Sequence, residues 1–513
     1  MSTDLALALP MPPTLQAPAP RTAPDSGISD YPQVAAIYRD LAALVGQPIR
    51  PIRREAMAVY LRYFEERCAK SKPVIERARQ FIPGGVQHNL AFNYPFPIVV
   101  DRAEGAYLQD RDGNRYIDFL QAGGPTVLGS NYAAVKQQVL ALLDECGPVT
   151  GLFHEYELKL AEFICQHIPS VEMFRMLGSG TEAVMAALRV ARLATGRKKV
   201  IKMGGAYHGW SDQMVYALRI PGTGGFEAHG IPWAYRAHTQ EVAPNDLHAL
   251  ERTLRFNRLR GGTAAVILEP VGPESGTRPV DFGYNQGARE LCDKYGALLI
   301  FDEVVTAFRL GLSGAQGYYG VRPDLTVFGK VVAGGYPGAG GLGGRRDLMS
   351  CLAAGIGGGQ KRALVGGTLA ANPLSSAAGY HTLVEIERTG ACAKAGAAGD
   401  RLTRGLQAMI TRYHLPFVAY NQGSICHLET SATMFVKVNI SRPWTIPNAM
   451  KEIKTRKHMM EEMGAAYLAE GIVTLAGSRM YTSMADTDAI IDTALAGFDR
   501  VLRQMEGIAG PKG

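Results

Sequence analysis

Cysteine is scarce in this sequence, seven among 513 residues. Cys68, Cys146, Cys165, Cys292, Cys351, Cys392 and Cys426 are scattered, odd in number and never spaced C-x-x-C. The pattern argues against a disulfide framework and a zinc ribbon and fits a reducing compartment, with the cytoplasm as the expected location. Long apolar runs are missing too. None approaches the roughly 18–20 residues of a membrane span, and Leu5–Leu9 lacks the basic flank of a secretory leader. Charge of one sign is thin: 54 Lys and Arg against 47 Asp and Glu leave +7 with no dense basic block. A nucleic-acid surface is therefore not expected, and Arg252, Arg255, Arg258 and Arg260 read as a solvated helix face. Several catalytic patterns are absent as well. His154-Glu155-Tyr156-Glu157 lacks the second histidine of H-E-x-x-H, so no metal site is expected, and no G-x-S-x-G elbow occurs. No Gly-Lys-Ser/Thr completes a P-loop, and no strand–GxGxxG–helix plan supports hydride transfer from a dinucleotide.

What remains is an ordinary globular composition, 47% hydrophobic and 20% charged, long enough for two or three packed units. Residues 1–30 hold six prolines and few large apolar side chains, too little to offset ordering entropy, so disorder is expected there. From Tyr31 to about Gln80 the pattern is helical, until Pro83-Gly84-Gly85 breaks it. Ile98–Asp101, Ala106–Gln109 and Tyr116–Phe119 look strand-like, the last two joined as a hairpin by Asp112-Gly113-Asn114. Between about 130 and 350, helical stretches alternate with the apolar runs Val200–Met203, Ala264–Leu268, Leu298–Phe301 and Leu325–Phe328. That alternation predicts an α/β fold with a mostly parallel sheet. The last part begins with a helix over Ser376–Glu387. It adds strands at Met434–Asn439 and Ile472–Leu475 and helices at Asn448–Glu462 and Thr487–Met505, a smaller α+β unit. The expected partition is a tail to residue 30, a helical extension with part of the small unit over 31–105, a large unit over 106–375, and the C-terminal small unit over 376–513.

Three pieces carry chemistry. The strand Ala297–Phe301 ends in Asp302-Glu303, and ligands of parallel sheets sit at strand carboxyl ends. Lys330 follows 28 residues later, after a second short strand and Gly329. One crossover between them returns the chain to the same sheet edge. Gly334, Gly335, Gly338, Gly340, Gly341, Gly343 and Gly344 follow, residues that would let a planar ring come close. An amine condenses with an aldehyde in its neutral form, which burial favours, and a buried carboxylate keeps a pyridine nitrogen protonated. Second, Gly178-Ser179-Gly180-Thr181-Glu182-Ala183 opens an Ala-rich helix whose first amides can hold a phosphate; an ordinary cap by Ser179 with Glu182 explains the same residues. Third, Gly204-Gly205-Ala206-Tyr207-His208-Gly209-Trp210 follows a strand, where an aromatic ring can stack on a cofactor. His208 reads there as a supporting residue rather than a proton carrier.

Together these residues resemble the class III aminotransferases, and within them the glutamate-1-semialdehyde aminomutase branch. Phe301-Asp302-Glu303-Val304-Val305-Thr306-Ala307-Phe308-Arg309, Gly314 through Gly320, and Pro323 through Lys330 are the most specific stretches. Ile82–Val86, Gly178–Ala183, Tyr207-His208-Gly209 and Gly367-Thr368 through Asn372-Pro373 add to them. The resemblance implies the fold type I architecture of pyridoxal 5′-phosphate (PLP) enzymes, a large domain with a seven-stranded, mostly parallel sheet and a small domain from the chain ends. It implies Lys330 as the residue that holds PLP as an imine and shuttles the proton, Asp302 on the pyridinium nitrogen, and Tyr207 and Val304 on the two ring faces. Ser179, Gly180 and Thr181 would bind the phosphate, Thr368 and Gly367 would reach it from the neighbouring subunit of a homodimer, and His208 and Glu274 would border the cofactor. The implied reaction is a ping-pong transfer between an amino donor and a 2-oxo acid, with an aminomutase or racemase as the alternative. The substrate apparatus departs from the aminomutase pattern. Ala91 replaces a carboxylate-binding arginine, Glu274 replaces an asparagine, and Ser478-Arg479-Met480-Tyr481 replaces Gln-Phe-Glu-Ala-Gly-Phe. Arg479, where related β-amino-acid aminotransferases place such an arginine, is the candidate carboxylate binder.

Overall fold

Apolar residues recur at helical spacing from Val34 to Ala78, but two breaks divide them. In the computed structural model they form α1 (Val34–Val45), α2 (Arg54–Arg67) and α3 (Ser71–Ala78). The description covers residues 26–353, 361–438 and 443–508. Residues 1–25 of the expected tail lie outside it. Ser26 to Asp30 do not behave as free chain: Ile28 is buried, and the Gly27 amide donates to the Leu310 carbonyl at 2.8 Å. Met57, Tyr60 and Phe64 of α2 pack with Leu402, Leu406, Met463 and Phe498, so the N-terminal helices belong to the core built by the C-terminal residues.

A hairpin follows, with β1 (Val100–Glu104), β2 (Tyr107–Asp110) and β3 (Arg115–Asp118) pairing antiparallel. Then α4 (Ala133–Glu145) and α5 (Glu155–His167) lead into the large sheet. His154 caps α5 through Nδ1, and Glu157 bonds back to the His154 amide at 2.9 Å, so the incomplete metal motif is a capping box. The sheet contains β4 (Met173–Leu177), β5 (Lys199–Met203), β6 (Thr239–Val242), β7 (Thr263–Leu268), β8 (Leu298–Asp302), β9 (Leu325–Gly329) and β10 (Gly340–Gly344). Their order is β4-β10-β9-β8-β7-β5-β6. All pairs from β9 to β6 are parallel, and β10 runs antiparallel to both neighbours. All six residues of β7 are buried, as a strand covered by helices on both faces requires. One covering helix, α6 (Gly180–Thr195), buries Ala183, Ala186, Ala187 and Ala191, small residues that let it lie close to the sheet.

The glycines after Lys330 suggest, from sequence, an open approach for a ring. Those from 340 to 344 instead form β10, a strand squeezed against its surroundings. A Cβ on Gly341 would clash with the Phe174 ring, and one on Gly340 with the Ser179 backbone.

The small unit contains β11 (Val418–Gln422), β12 (Ile425–Glu429), β13 (Ile472–Val473) and β14 (Arg479–Tyr481). β11, β12 and β14 form one antiparallel sheet, while β13 adds parallel to β3. The hairpin β2–β3, expected to open the large unit, therefore shares a sheet with C-terminal chain, and Tyr116 and Phe119 pack in the same core as Leu468 and Ile472. The strand expected at Met434–Asn439 is not formed in its described part, where Thr433–Phe435 make a single 3-10 turn; Asn439 lies outside the described residues. The helix Pro373–Thr389 packs on α4 and α5, so the chain returns to the small unit only after it.

Candidate active site

β8 and β9 are parallel neighbours, so their carboxyl ends open on one edge of the sheet. Asp302 is the last residue of β8, paired in register with Val327, and Lys330 comes directly after β9. Lys330 is half-buried and has φ 49°, a left-handed conformation that a side-chain-bearing residue adopts at some cost, characteristic of functional sites. Asp302 is buried. Its Oδ2 lies 2.7 Å from His208 Nδ1, and its Oδ1 accepts the Val304 amide at 3.1 Å. Burial holds the His208 pKa below the usual imidazole value against the opposing pull of Asp302. The neutral ring then donates its Nδ1 proton, since a carboxylate only accepts.

The loop after β5 brings His208 there, together with Tyr207. The Tyr207 amide donates to Glu269 Oε1 at 3.0 Å, and its ring is 48% exposed, presented rather than packed away. Glu269, just past β7, also accepts the amides of Glu274 at 3.0 Å and Ser275 at 2.7 Å. Burial, then the charges of Asp302 and Glu274, push its pKa up to about 8.

At the start of α6 the cap and the cradle coexist. Ser179 Oγ accepts the Glu182 amide at 3.3 Å, and the Glu182 carboxylate accepts the Gly178 amide at 2.8 Å. The amides of Gly180 and Thr181 have no partner among the described residues and stand at the positive end of the helix. A Cβ on Gly180 would stand 2.9 Å from Val304 Cγ2, one on Gly329 2.8 Å from Val304 Cγ1, and one on Gly209 2.5 Å from Thr181 Oγ1. Ser179, Gly180, Thr181, Gly209, Val304 and Lys330 thus form one neighbourhood floored by backbone. Gly367 lies beside the same helix start, its Cβ position 3.5 Å from Glu182 Oε2, and Thr368 is exposed in the following turn.

Arg479 leads β14 toward the site. It donates to the Glu274 main-chain oxygen at 2.8 Å and pairs with Glu274 Oε2 at 3.0 Å. Glu274 therefore faces the candidate substrate cation, which its reading as a cofactor neighbour did not anticipate. Ala91 is exposed in a short 3-10 turn. Sequence reasoning missed Tyr481, which is 1% exposed. Burial raises its pKa, but Arg479 and Lys330 outweigh that and bring it below the usual phenol value. Only its place two residues after Arg479 signalled it.

These residues fit PLP. A lysine amine and a buried carboxylate stand on adjacent strand ends, and unpaired helix amides and hydroxyls offer a phosphate seat where added side chains would clash. Among the described residues no group of three or more His, Cys, Asp or Glu could hold a metal ion, and no helix is long and apolar enough to cross a membrane.

Comparison with known proteins agrees. An omega-transaminase from Sphaerobacter thermophilus is 27% identical with TM-score 0.75, covering 86% of this chain and 99% of its own. A β-phenylalanine aminotransferase from Variovorax paradoxus is 26% identical with TM-score 0.72, covering 87% and 96%. A glutamate-1-semialdehyde aminomutase from Pseudomonas aeruginosa PAO1, 23% identical over 91% of this chain and 99% of its own, shares the fold with TM-score 0.75. PLP is bound in further solved relatives and is the cofactor of this chain. The model of the family Aminotransferase class-III matches residues 90–500, from just before the hairpin into the last helix, and this chain belongs to that family.

Proposed function

We propose that this protein is an aminotransferase that moves an amino group between an amino-carboxylate and a 2-oxo acid in two half-reactions. One observation carries the reading: Lys330 and the buried Asp302 stand at the carboxyl ends of neighbouring parallel strands. PLP, when bound, supplies an electron sink for the charge left at the substrate Cα. Lys330 would hold the cofactor through its amine and would carry the proton to and from the substrate Cα. Asp302 keeps the pyridine nitrogen protonated, and His208 fixes the carboxylate by donating to Oδ2. Tyr207, presented at the site, and Val304, which stands against Gly180 and Gly329, would wall the ring. The free amides of Gly180 and Thr181, with Ser179, would hold the phosphate; this chain's own Gly367 stands beside that helix start, 3.5 Å from Glu182 Oε2 at its Cβ position, and Gly367 and Thr368 of a second subunit are proposed to complete the seat, which would make a homodimer the working unit.

Arg479 takes the substrate carboxylate through its guanidinium fork. Glu274 fills that fork in the structure, so an incoming carboxylate has to displace it. Likeness to a β-phenylalanine aminotransferase supports an amino-carboxylate substrate, and Ala91 leaves Arg479 without a second arginine at the position used by the aminomutase. Borohydride reduction followed by peptide mapping tests the core of the reading, with the label expected on Lys330. A label elsewhere, or none, removes it. A donor–acceptor screen that follows cofactor absorbance should show dependence on a 2-oxo acid; turnover without an acceptor would identify an intramolecular transfer instead.

A further inference from the structure

Lys202, the penultimate residue of β5, is 0% exposed, and nothing above gives it a task. A buried ammonium is costly unless its protons are all met. Here Nζ donates to the main-chain oxygens of Ala206 at 2.7 Å, Tyr216 at 2.7 Å and Met214 at 3.5 Å. An ammonium has three protons and no lone pair, so donors and acceptors match in number. A neutral amine would turn its lone pair toward a carbonyl oxygen. Burial pushes the pKa down to about 8, while Glu269, Glu241, Glu274 and Asp302 pull the other way.

All three carbonyls lie on one loop, residues 204–216, and the first of them belongs to the residue before Tyr207. Two further bonds pin this loop, Tyr207 to Glu269 and His208 to Asp302. A main-chain bond from Gly205 to Ala217 closes its neck at 2.8 Å. The anchor is firm, because β5 is paired in parallel to both β6 and β7. We infer that Lys202 is a positioning residue whose ammonium tethers the 204–216 loop to the central sheet and so sets where the Tyr207 ring and the His208–Asp302 pair meet the cofactor. This rests on the reading of that loop as a wall of the PLP site.

The test compares wild type, Lys202→Met, which keeps the stem without donors, and Lys202→Arg, which keeps charge and donors. Two quantities are read on the full-length protein: the PLP dissociation constant, and amide hydrogen exchange across 204–216 against β7 and β8. Lys202→Met should weaken PLP binding by about tenfold or more, as loss of charge-assisted bonds implies, and speed exchange in the loop alone. Lys202→Arg should recover most of both. If Lys202→Met does not fold, Lys202→Gln, with two N–H donors, should fall between wild type and that loss. Unchanged PLP affinity in a folded Met or Gln variant overturns the proposal, as does weaker binding with exchange raised equally in β7 and β8. Borohydride labelling separates the two failures. Without label on Lys330 in the wild type the site reading falls; with it, and with unaltered affinity in the variant, only the role of Lys202 does.

Discussion

Arg479 and Glu274 meet across 205 positions of sequence, and on the proposed function their contact governs which substrates enter. Arg479→Ala removes the only cation proposed for the substrate carboxylate. KM for carboxylate substrates should rise by at least about tenfold, since hydrogen bonds to charged groups contribute roughly 1.5–3 kcal/mol, while cofactor absorbance is unchanged. Glu274→Gln removes the competing anion and should lower KM for the same substrates, read from initial rates at fixed acceptor. Neither partner announces the other in sequence, because the pair exists only once β14 lies beside the turn after β7. Lys330 and Asp302 were legible for the opposite reason: the chemistry needs an amine and a carboxylate at strand ends, and short apolar runs mark those ends. Glu269 and Lys202 had no such marker. A buried charge and a solvated one are the same letter until the fold surrounds one of them.

Among elements, the loop after β5 depends on Gly209. Gly209 has φ +81°, and a Cβ there would stand 2.5 Å from Thr181 Oγ1. Gly209→Ala should cost about 1–3 kcal/mol of stability and weaken PLP binding, measured by thermal unfolding with and without PLP; equal stability and affinity would contradict the packing described. β7 and β8 could be read from sequence because strands buried on both faces are near-continuous apolar runs, and β5 and β9 despite Lys202 and Thr326 within them. β10 could not, since Gly-Gly-Leu-Gly-Gly reads as a flexible loop, yet with pairing on both sides the main chain alone makes the strand. β11 and β12 were hidden by Asn421, Gln422 and His427, polar residues whose partners come from other elements. The alternating stretch at Met434 looked like a strand, but it has no partner strand in the three sheets.

Across the whole molecule, stability should depend on two buried carboxyls, Asp118 and Asp486. Burial pushes Asp486 up to about 7 and Asp118 up to about 6. The native state therefore holds protons that the unfolded chain has released. The stabilisation they give is complete below about pH 4, the ordinary carboxylate range, and is lost as pH rises through 6 and 7. Asp486→Asn, a mimic of the protonated form, should flatten the fall of melting temperature between pH 5.5 and 8; an unchanged slope would remove Asp486 from that account. The overall architecture was legible from alternation of helices and apolar runs. That the small domain draws on both chain ends was an expectation of the resemblance, but which helices meet was not legible, because no local pattern encodes it. Ile52 bridges Met505, and the Arg53 amide donates to the Gln504 carbonyl at 2.9 Å. This has a consequence for the order of events at the ribosome. The sheet bearing Lys330 is fully synthesised by residue 344, whereas β3 waits for Ile472–Val473 and α2 for the helix Ile446–Ala469, so segments made before the sheet are among the last to find their neighbours.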